Sequence, residues 1–408
     1  MLSKVKSLPT LATLTLVLAA LMPFVPDELT LTTASFSAAF VLLFAFWVVA
    51  IVKDGLRIYA PASAKWLVGF QFSVLSSALV AALYGTPWTA WFRGAVPFLF
   101  LLAFFPFVDV AKREPQSLIN AVHIASVLWL AKVAVMSGAG IAAVLAGEAQ
   151  RLTQATEDWG TLTLPFGFIG LICSLFNNAP FARRLRWLLA PAFTLVALLT
   201  VYRSQLLIVT AVWMVYLVGL GARRMLGITV TLCALAAASM PYLLGLGLIQ
   251  NIAERFSEVA GELGGSRMAE IRFAFRNFLE SPLFGKGLGY PVPAEVTFFG
   301  DVQAMREAGV DSVGYVHNAV AYMAMDLGLI GLVCFFGFIF GNRWWRRRPT
   351  DLRLSSLWVI AVLGLGTLLA WILVEASFRQ IQSNLALAAL IAVLAALPAI
   401  PRRSAIAP

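Results

Sequence analysis

The sequence predicts an all-α polytopic membrane protein with about twelve transmembrane helices, and three observations predict it. First, 61% of the 408 residues are hydrophobic and 12% are charged, with a mean hydropathy of +0.87. A soluble domain is roughly 45–50% apolar and about 25% charged. Second, several apolar runs reach the roughly 20 residues that a spanning helix needs, whereas barrel strands alternate over only about 9–11. Third, the cations gather in alternate short loops, as the positive-inside rule requires. A soluble enzyme, a disordered scaffold and a disulfide-stapled secreted domain are excluded.

The expected spans, to within a few residues at each end, are 8–25, 34–52, 66–84, 91–110, 117–145, 161–178, 187–201, 204–221, 226–249, 317–341, 354–374 and 382–400. The fifth is long, and Ser137-Gly138-Ala139-Gly140 is the place where it would break. With Lys4 and Lys6 in the cytoplasm, every second loop is basic. These loops hold Lys53, Arg57 and Lys65; Lys112 and Arg113; Arg183, Arg184 and Arg186; Arg223 and Arg224; then Arg343, Arg346, Arg347, Arg348 and Arg353. Arg402 and Arg403 follow the last span. Both termini are therefore expected in the cytoplasm, and the net charge of +10 reports topology, not nucleic-acid binding. No A-x-A site follows the first span, so it reads as retained. Cys173, Cys233 and Cys334 lie in apolar runs without CxxC spacing and read as core residues.

The chain reads as one integral membrane domain, 1–408, with one long outer loop, 250–316, between the ninth and tenth spans. A loop of that length inside a compact protein is usually functional. Its stretch Ser266–Leu279 repeats Met268, Ile271, Phe275 and Phe278 at helical spacing, which predicts an amphipathic helix ending before Ser281-Pro282. The stripe fits either the membrane surface or the other helices. Arg267 falls in the first turn, where a cation opposes the helix dipole unless an anion binds beside it. Arg272 flanks the stripe and Arg276 reads as a surface charge. Gly285-Lys286-Gly287-Leu288-Gly289 lacks the lysine–serine pair and preceding strand of a nucleotide loop, so it reads as a turn.

His317, one of two histidines, stands where the loop re-enters the membrane, and imidazole is the usual base near neutral pH. His123 lies toward the inner side and reads as a packing residue. Arg203 interrupts apolar sequence at an outer boundary, where an ionisable group is a functional candidate. Arg151, Lys132 and Arg93 are further outer cations. Glu375 and Arg379, four apart, read as a pair. Glu295, Asp301, Glu307 and Asp311 read as solvated acids, so no metal site is expected. A histidine and several arginines on one aqueous face suit attack on a phosphate-bearing substrate, with arginine forks holding a diphosphate.

Four places resemble the O-antigen ligase and polymerase superfamily, most closely its lipopolysaccharide O-antigen ligases. Ser281-Pro282-Leu283-Phe284-Gly285-Lys286-Gly287 is similar to the S-P-x-x-G-x-G turn, and His317-Asn318 with Gly328 and Gly331 to the H-N-x9-G-x-x-G signature. Ser266-Arg267 resembles the opening of the periplasmic helix. Tyr202-Arg203-Ser204 resembles the S-R element, with tyrosine in place of its serine. The resemblance spans roughly 150–340 and implies an inverting, metal-independent, cofactor-free glycosyltransferase of GT-C type in the bacterial inner membrane. It implies a periplasmic site, a polysaccharide donor on undecaprenyl diphosphate and a lipid A core sugar as acceptor. His317 would be the base. Arg203, Arg267, Arg151 and Arg272 would bind the diphosphate, with Asn318, Lys132 and Arg93 supporting. The alternatives are a polymerase using the same donor and, from another class, a lipid-linked oligosaccharide transporter. The polymerase is disfavoured by a single dominant loop. The transporter is disfavoured by the lack of repeated halves and of midplane charge.

Overall fold

The computed structural model describes residues 7–21, 40–41, 43–45, 47–48, 61–145, 152, 165–200, 203–220, 266–297, 311–346, 349–373 and 377–399. The expected span 226–249, most of 34–52, Arg151, Glu375, and the loop stretches 250–265 and 298–310 lie outside those residues.

The described chain is almost wholly helical. Helices α1 (Ser7–Leu21), α2 (Ala64–Leu83), α3 (Trp88–Leu99), α4 (Phe104–Arg113) and α5 (Pro115–Met136) come first, with a 3-10 turn, Phe100–Ala103, joining α3 to α4. They are followed by α6 (Gly138–Leu145), α7 (Phe166–Phe176), α8 (Pro180–Thr200) and α9 (Arg203–Gly219). The loop contributes α10 (Ser266–Glu280), strand β1 (Val292–Pro293), the short α11 (Ala294–Thr297) and strand β2 (Ser312–Val313). Helices α12 (Ala319–Phe340), α13 (Leu352–Ile372) and α14 (Ile381–Ala396) complete the chain, with 3-10 turns at Trp344–Arg346, Ser377–Arg379 and Leu397–Ala399. Among the described residues, five helical stretches are long and apolar enough to cross a membrane: Ala64–Leu83, Trp88–Arg113, Pro115–Met136, Ala319–Arg346 and Leu354–Ile372. Shorter apolar helices run over Leu8–Leu21, Phe166–Phe176, Ser204–Gly219 and Ile381–Ala396. This is the architecture of a multi-pass helical membrane protein. The expected break in the fifth span falls at Ser137, which ends α5 before α6 begins.

The centre of the bundle is α14. Every residue from Gln382 to Ala396 is buried, against α4, α5, α13 and α1. A helix that is apolar all round belongs inside, and small residues such as Ala386, Ala388 and Ala389 let neighbours approach closely. At its polar start the Asn384 side-chain amide donates to the Phe378 and Gln380 carbonyls at 2.7 and 3.1 Å, while its Oδ1 is buried without a partner.

Helices α2 and α12 form a second tight pair, built on glycine. A Cβ on Gly69 would meet the Cys334 sulfur at 3.0 Å, one on Gly331 the Ser73 hydroxyl at 3.1 Å, and one on Gly337 the Trp66 ring at 2.4 Å. One end of this pair gathers Lys65, Trp66, Arg343, Trp344, Trp345 and Arg346, while the other gathers Tyr84, Trp88, Trp91 and Tyr290. Aromatic belts mark the two membrane–water boundaries. Along α2, Trp66 and Tyr84 are about 27 Å apart at 1.5 Å per residue, close to the roughly 30 Å hydrocarbon thickness. His317 stands at the Tyr84 end, opposite the basic end.

Candidate active site

The site begins with the way α12 starts. Asn318 adopts an extended backbone (φ −77°, ψ 110°), and its Oδ1 accepts from the Ala321 amide at 2.9 Å. That is an N-cap, worth about 1 kcal/mol. The Asn318 amide donates to the Leu373 carbonyl at 2.8 Å, which ties the start of α12 to the end of α13. Both ends of the Asn318 side chain are thus engaged in holding the helix.

His317, the residue before this cap, is held by Glu270 of α10. The His317 backbone amide donates to Glu270 Oε2 and its Nδ1 meets Glu270 Oε1, both at 2.8 Å. The Glu270 side chain is 1% exposed and the His317 ring 16%. A carboxylate only accepts, so the proton of a neutral imidazole sits on Nδ1. Nε2 is then left with its lone pair, the arrangement a general base requires. Arg267, one turn before Glu270, places its guanidinium 3.6 Å from Oε1, with its side chain 50% exposed. It touches the carboxylate from the open side.

On another side the Tyr315 ring meets the His317 ring edge-on, with centroids 5.4 Å apart. The Arg379 guanidinium lies 4.1 Å above Tyr315. Below, Asp326 is fully buried, faces Tyr322 and Arg379, and accepts from the Gly289 amide at 3.1 Å.

The glycine turn and the G-x-x-G signature meet each other. Helix α12 kinks at Gly328 (φ 64°, ψ −165°), where a Cβ would lie 2.4 Å from the Leu283 carbonyl oxygen. The kink opens the helical ladder, and the turn fills it. Leu329 and Ile330 donate to the Pro282 and Leu283 carbonyls at 2.8 and 3.3 Å. The Met325 and Asp326 carbonyls accept instead from Lys286 and Gly287 at 2.8 and 2.9 Å. The turn is spliced into α12. Gly285, Gly287 and Gly289 all have positive φ and pass within 2.4–2.5 Å of neighbouring backbone, measured from a built Cβ. Their amides are spent inside the protein, so the stretch is a turn and not a phosphate loop. Lys286 locks it, with Nζ 2.7 Å from Glu280 Oε2 and 4.2 Å over the Tyr84 ring. The hydrogen bond from Lys286 holds the Glu280 carboxyl below its usual range. Burial pulls the Lys286 amine down, but its bond to Glu280 and its contact with Tyr84 leave it raised.

The remaining candidates are dispersed. Arg203 opens α9, which packs on α7, α8 and α13; its backbone position alone is described. Arg272 is exposed and lies about 200° around α10 from Glu270, at 100° per residue. Arg272 thus projects from a different face of α10 than the Glu270 that holds His317. Arg93 is exposed on α3 beside Gly94, where Tyr322 and Gly289 pack. Lys132 is half-buried in the outer part of α5, and Arg151 lies outside the described residues. His123 is a buried packing residue, 3.2 Å from the Ser174 hydroxyl.

Sequence reasoning missed Glu270 and Tyr315, and read Arg379 only as a partner for Glu375. The apolar stripe drew attention to Met268, Ile271 and Phe275, yet these are the exposed side of α10. The packed side carries Glu270, Ala274 and Asn277. The available signal was this four-then-three spacing of an acid among small residues.

A family model described as O-antigen ligase matches residues 187–336, a stretch from α8 into α12 that contains Arg203, Arg267, Glu270 and His317. This supports the superfamily resemblance read from the motifs. No curated protein matches the chain.

Proposed function

We propose, on the premise that residues 187–336 carry the O-antigen ligase family pattern, that this chain is an O-antigen ligase. It moves polysaccharide from undecaprenyl diphosphate to a sugar hydroxyl of lipid A core, at the periplasmic face of the bacterial inner membrane. The observation that carries the reading is the Glu270–His317 pair at the start of α12.

In this reading the acceptor hydroxyl gives its proton to His317 Nε2 as its oxygen bonds to the anomeric carbon of the donor. The bond from that carbon to the diphosphate oxygen breaks, and the diphosphate leaves with the electron pair. One displacement inverts the anomeric centre. Glu270 keeps the first proton on Nδ1 and stabilises the imidazolium that forms. Arg267, with Arg203 and Arg151, neutralises the growing charge on the leaving diphosphate. Arg267 and Arg203 each stand in the first turn of a helix, where free amides and the dipole also favour an anion. Arg93 and Lys132 support this face of the protein, and Asn318 positions His317 by capping α12.

The test is transfer in liposomes with purified protein, chelator, lipid-linked donor and lipid A core. Product from wild type but not from folded His317→Ala supports the reading. Full activity in His317→Ala removes the base. Longer chains on the lipid donor, without transfer to lipid A core, identify a polymerase instead.

A further inference from the structure

Helix α10 buries its polar side and exposes its apolar one. Glu270, Ala274 and Asn277 face α12, while Met268, Ile271, Phe275 and Leu279 are exposed, the last two at 58% and 59%. At 100° per residue these four fall within an arc of about 80° on the face away from α12. Arg272 and Arg276 border the arc on one edge and Arg267 on the other, all exposed. Contiguous apolar surface of this kind marks an interaction face.

The face is continuous with the part of the bundle that meets lipid. After α10, Leu283 and Phe284 are also exposed. The Leu283 carbonyl is bonded to Ile330 of α12, and Leu329, Ile330 and Val333 are exposed on that spanning helix. The same turn packs against Ala81, three residues before the boundary residue Tyr84. The arc runs from Met268 to Leu279 without a polar interruption on its face. An apolar medium must therefore meet the helix along its whole length, which a helix standing upright in water would not achieve.

We infer that α10 lies along the bilayer surface at the His317 end, with Met268, Ile271, Phe275 and Leu279 at the acyl–headgroup boundary and Arg272 and Arg276 on the phosphates of anionic phospholipid. Apolar residues on one face with arginines at its edges are the pattern of an interfacial helix. Each cation near an anionic surface adds to the attraction. The placement gives Arg272 a partner that the Glu270 side of the helix cannot supply. It also sets Glu270 and His317 at headgroup depth. The inference needs only the membrane reading of the fold, and stands or falls apart from the transfer reaction.

Spin labels introduced singly as Ile271→Cys, Phe275→Cys and Leu279→Cys, in full-length protein lacking its native cysteines, test it in nanodiscs free of polyprenyl lipid. Collision with oxygen should exceed collision with a water-soluble nickel chelate several-fold at all three sites, each read independently. Nickel dominating at Phe275 and Leu279 would overturn the inference. Raising phosphatidylglycerol at constant total lipid should increase the oxygen-to-nickel ratio, and Arg272→Gln/Arg276→Gln should abolish that increase. A ratio indifferent to phosphatidylglycerol in the parent protein would overturn the headgroup assignment. Protection that arises only after a polyprenyl diphosphate is added would assign the face to the substrate tail and sink the bilayer reading.

Discussion

Glu270 accepts twice from His317 and donates nothing, and this asymmetry decides where the imidazole proton sits. Glu270→Gln keeps the shape but gains an amide donor, which favours the opposite tautomer and leaves Nε2 protonated. Turnover should then fall by about 100-fold or more, the range of a general-base contribution, with donor KM little changed. Glu270→Asp should fall between, because a side chain shorter by one methylene cannot reach both His317 donors. Steady-state kinetics at fixed donor and acceptor checks both. Arg267 contacts the same carboxylate at 3.6 Å, and Arg267→Lys should not restore what Arg267→Ala loses, since an ammonium lacks the bidentate fork. The sequence singles out His317 as one of two histidines and Arg267 by its place at a helix start. Glu270 was not legible there, because nothing local to α10 says that its partner lies 47 residues away.

At the scale of elements, the turn Ser281–Gly289 and the kinked α12 form one hydrogen-bonded unit. Gly328→Ala places a Cβ 2.4 Å from the Leu283 oxygen at a φ of 64°. At a ψ of −165° this is a backbone region essentially confined to glycine, which costs another residue about 1–3 kcal/mol, and the clash adds to it. Thermal unfolding in detergent should start several degrees lower, and the amides of Lys286, Gly287, Leu329 and Ile330 should exchange faster. Gly366, with open space around its Cβ position, should tolerate alanine better. The Glu280–Lys286 bond adds a pH dependence. Glu280 is depressed below its ordinary 4.5, so its contribution is present above that value and lost as pH falls through the lower folded pKa. Lys286 is raised above 10.5, so its contribution is present below that value and lost as pH rises through the higher one. Melting temperature against pH should show an acid step in the parent protein that Glu280→Gln removes. The glycines were legible as a turn. Their partner was not, because a splice into a helix ladder joins segments about forty residues apart.

For the whole molecule, α14 is the axis on which the described bundle is built. Ala388 lies mid-helix and fully buried, so Ala388→Phe should overpack the centre and destabilise by about 1–3 kcal/mol or more, seen as a lower melting temperature. Span positions were legible where apolar runs were long, as over Ala64–Leu83 and Ala319–Arg346. The central place of α14 was less so. Hydropathy records that a helix is apolar, and lipid and protein interior are equally good surroundings for it.

A double-mutant cycle on transfer rate separates a Glu270 that acts through His317 from one that acts apart from it. Wild type, Glu270→Gln, His317→Ala and the double variant would be compared as folded proteins in the same liposomes. If the two residues work as one unit, the double variant will transfer no more slowly than His317→Ala alone. Losses that multiply, with the double variant slower than His317→Ala by the full Glu270→Gln factor, would mean that Glu270 acts apart from His317.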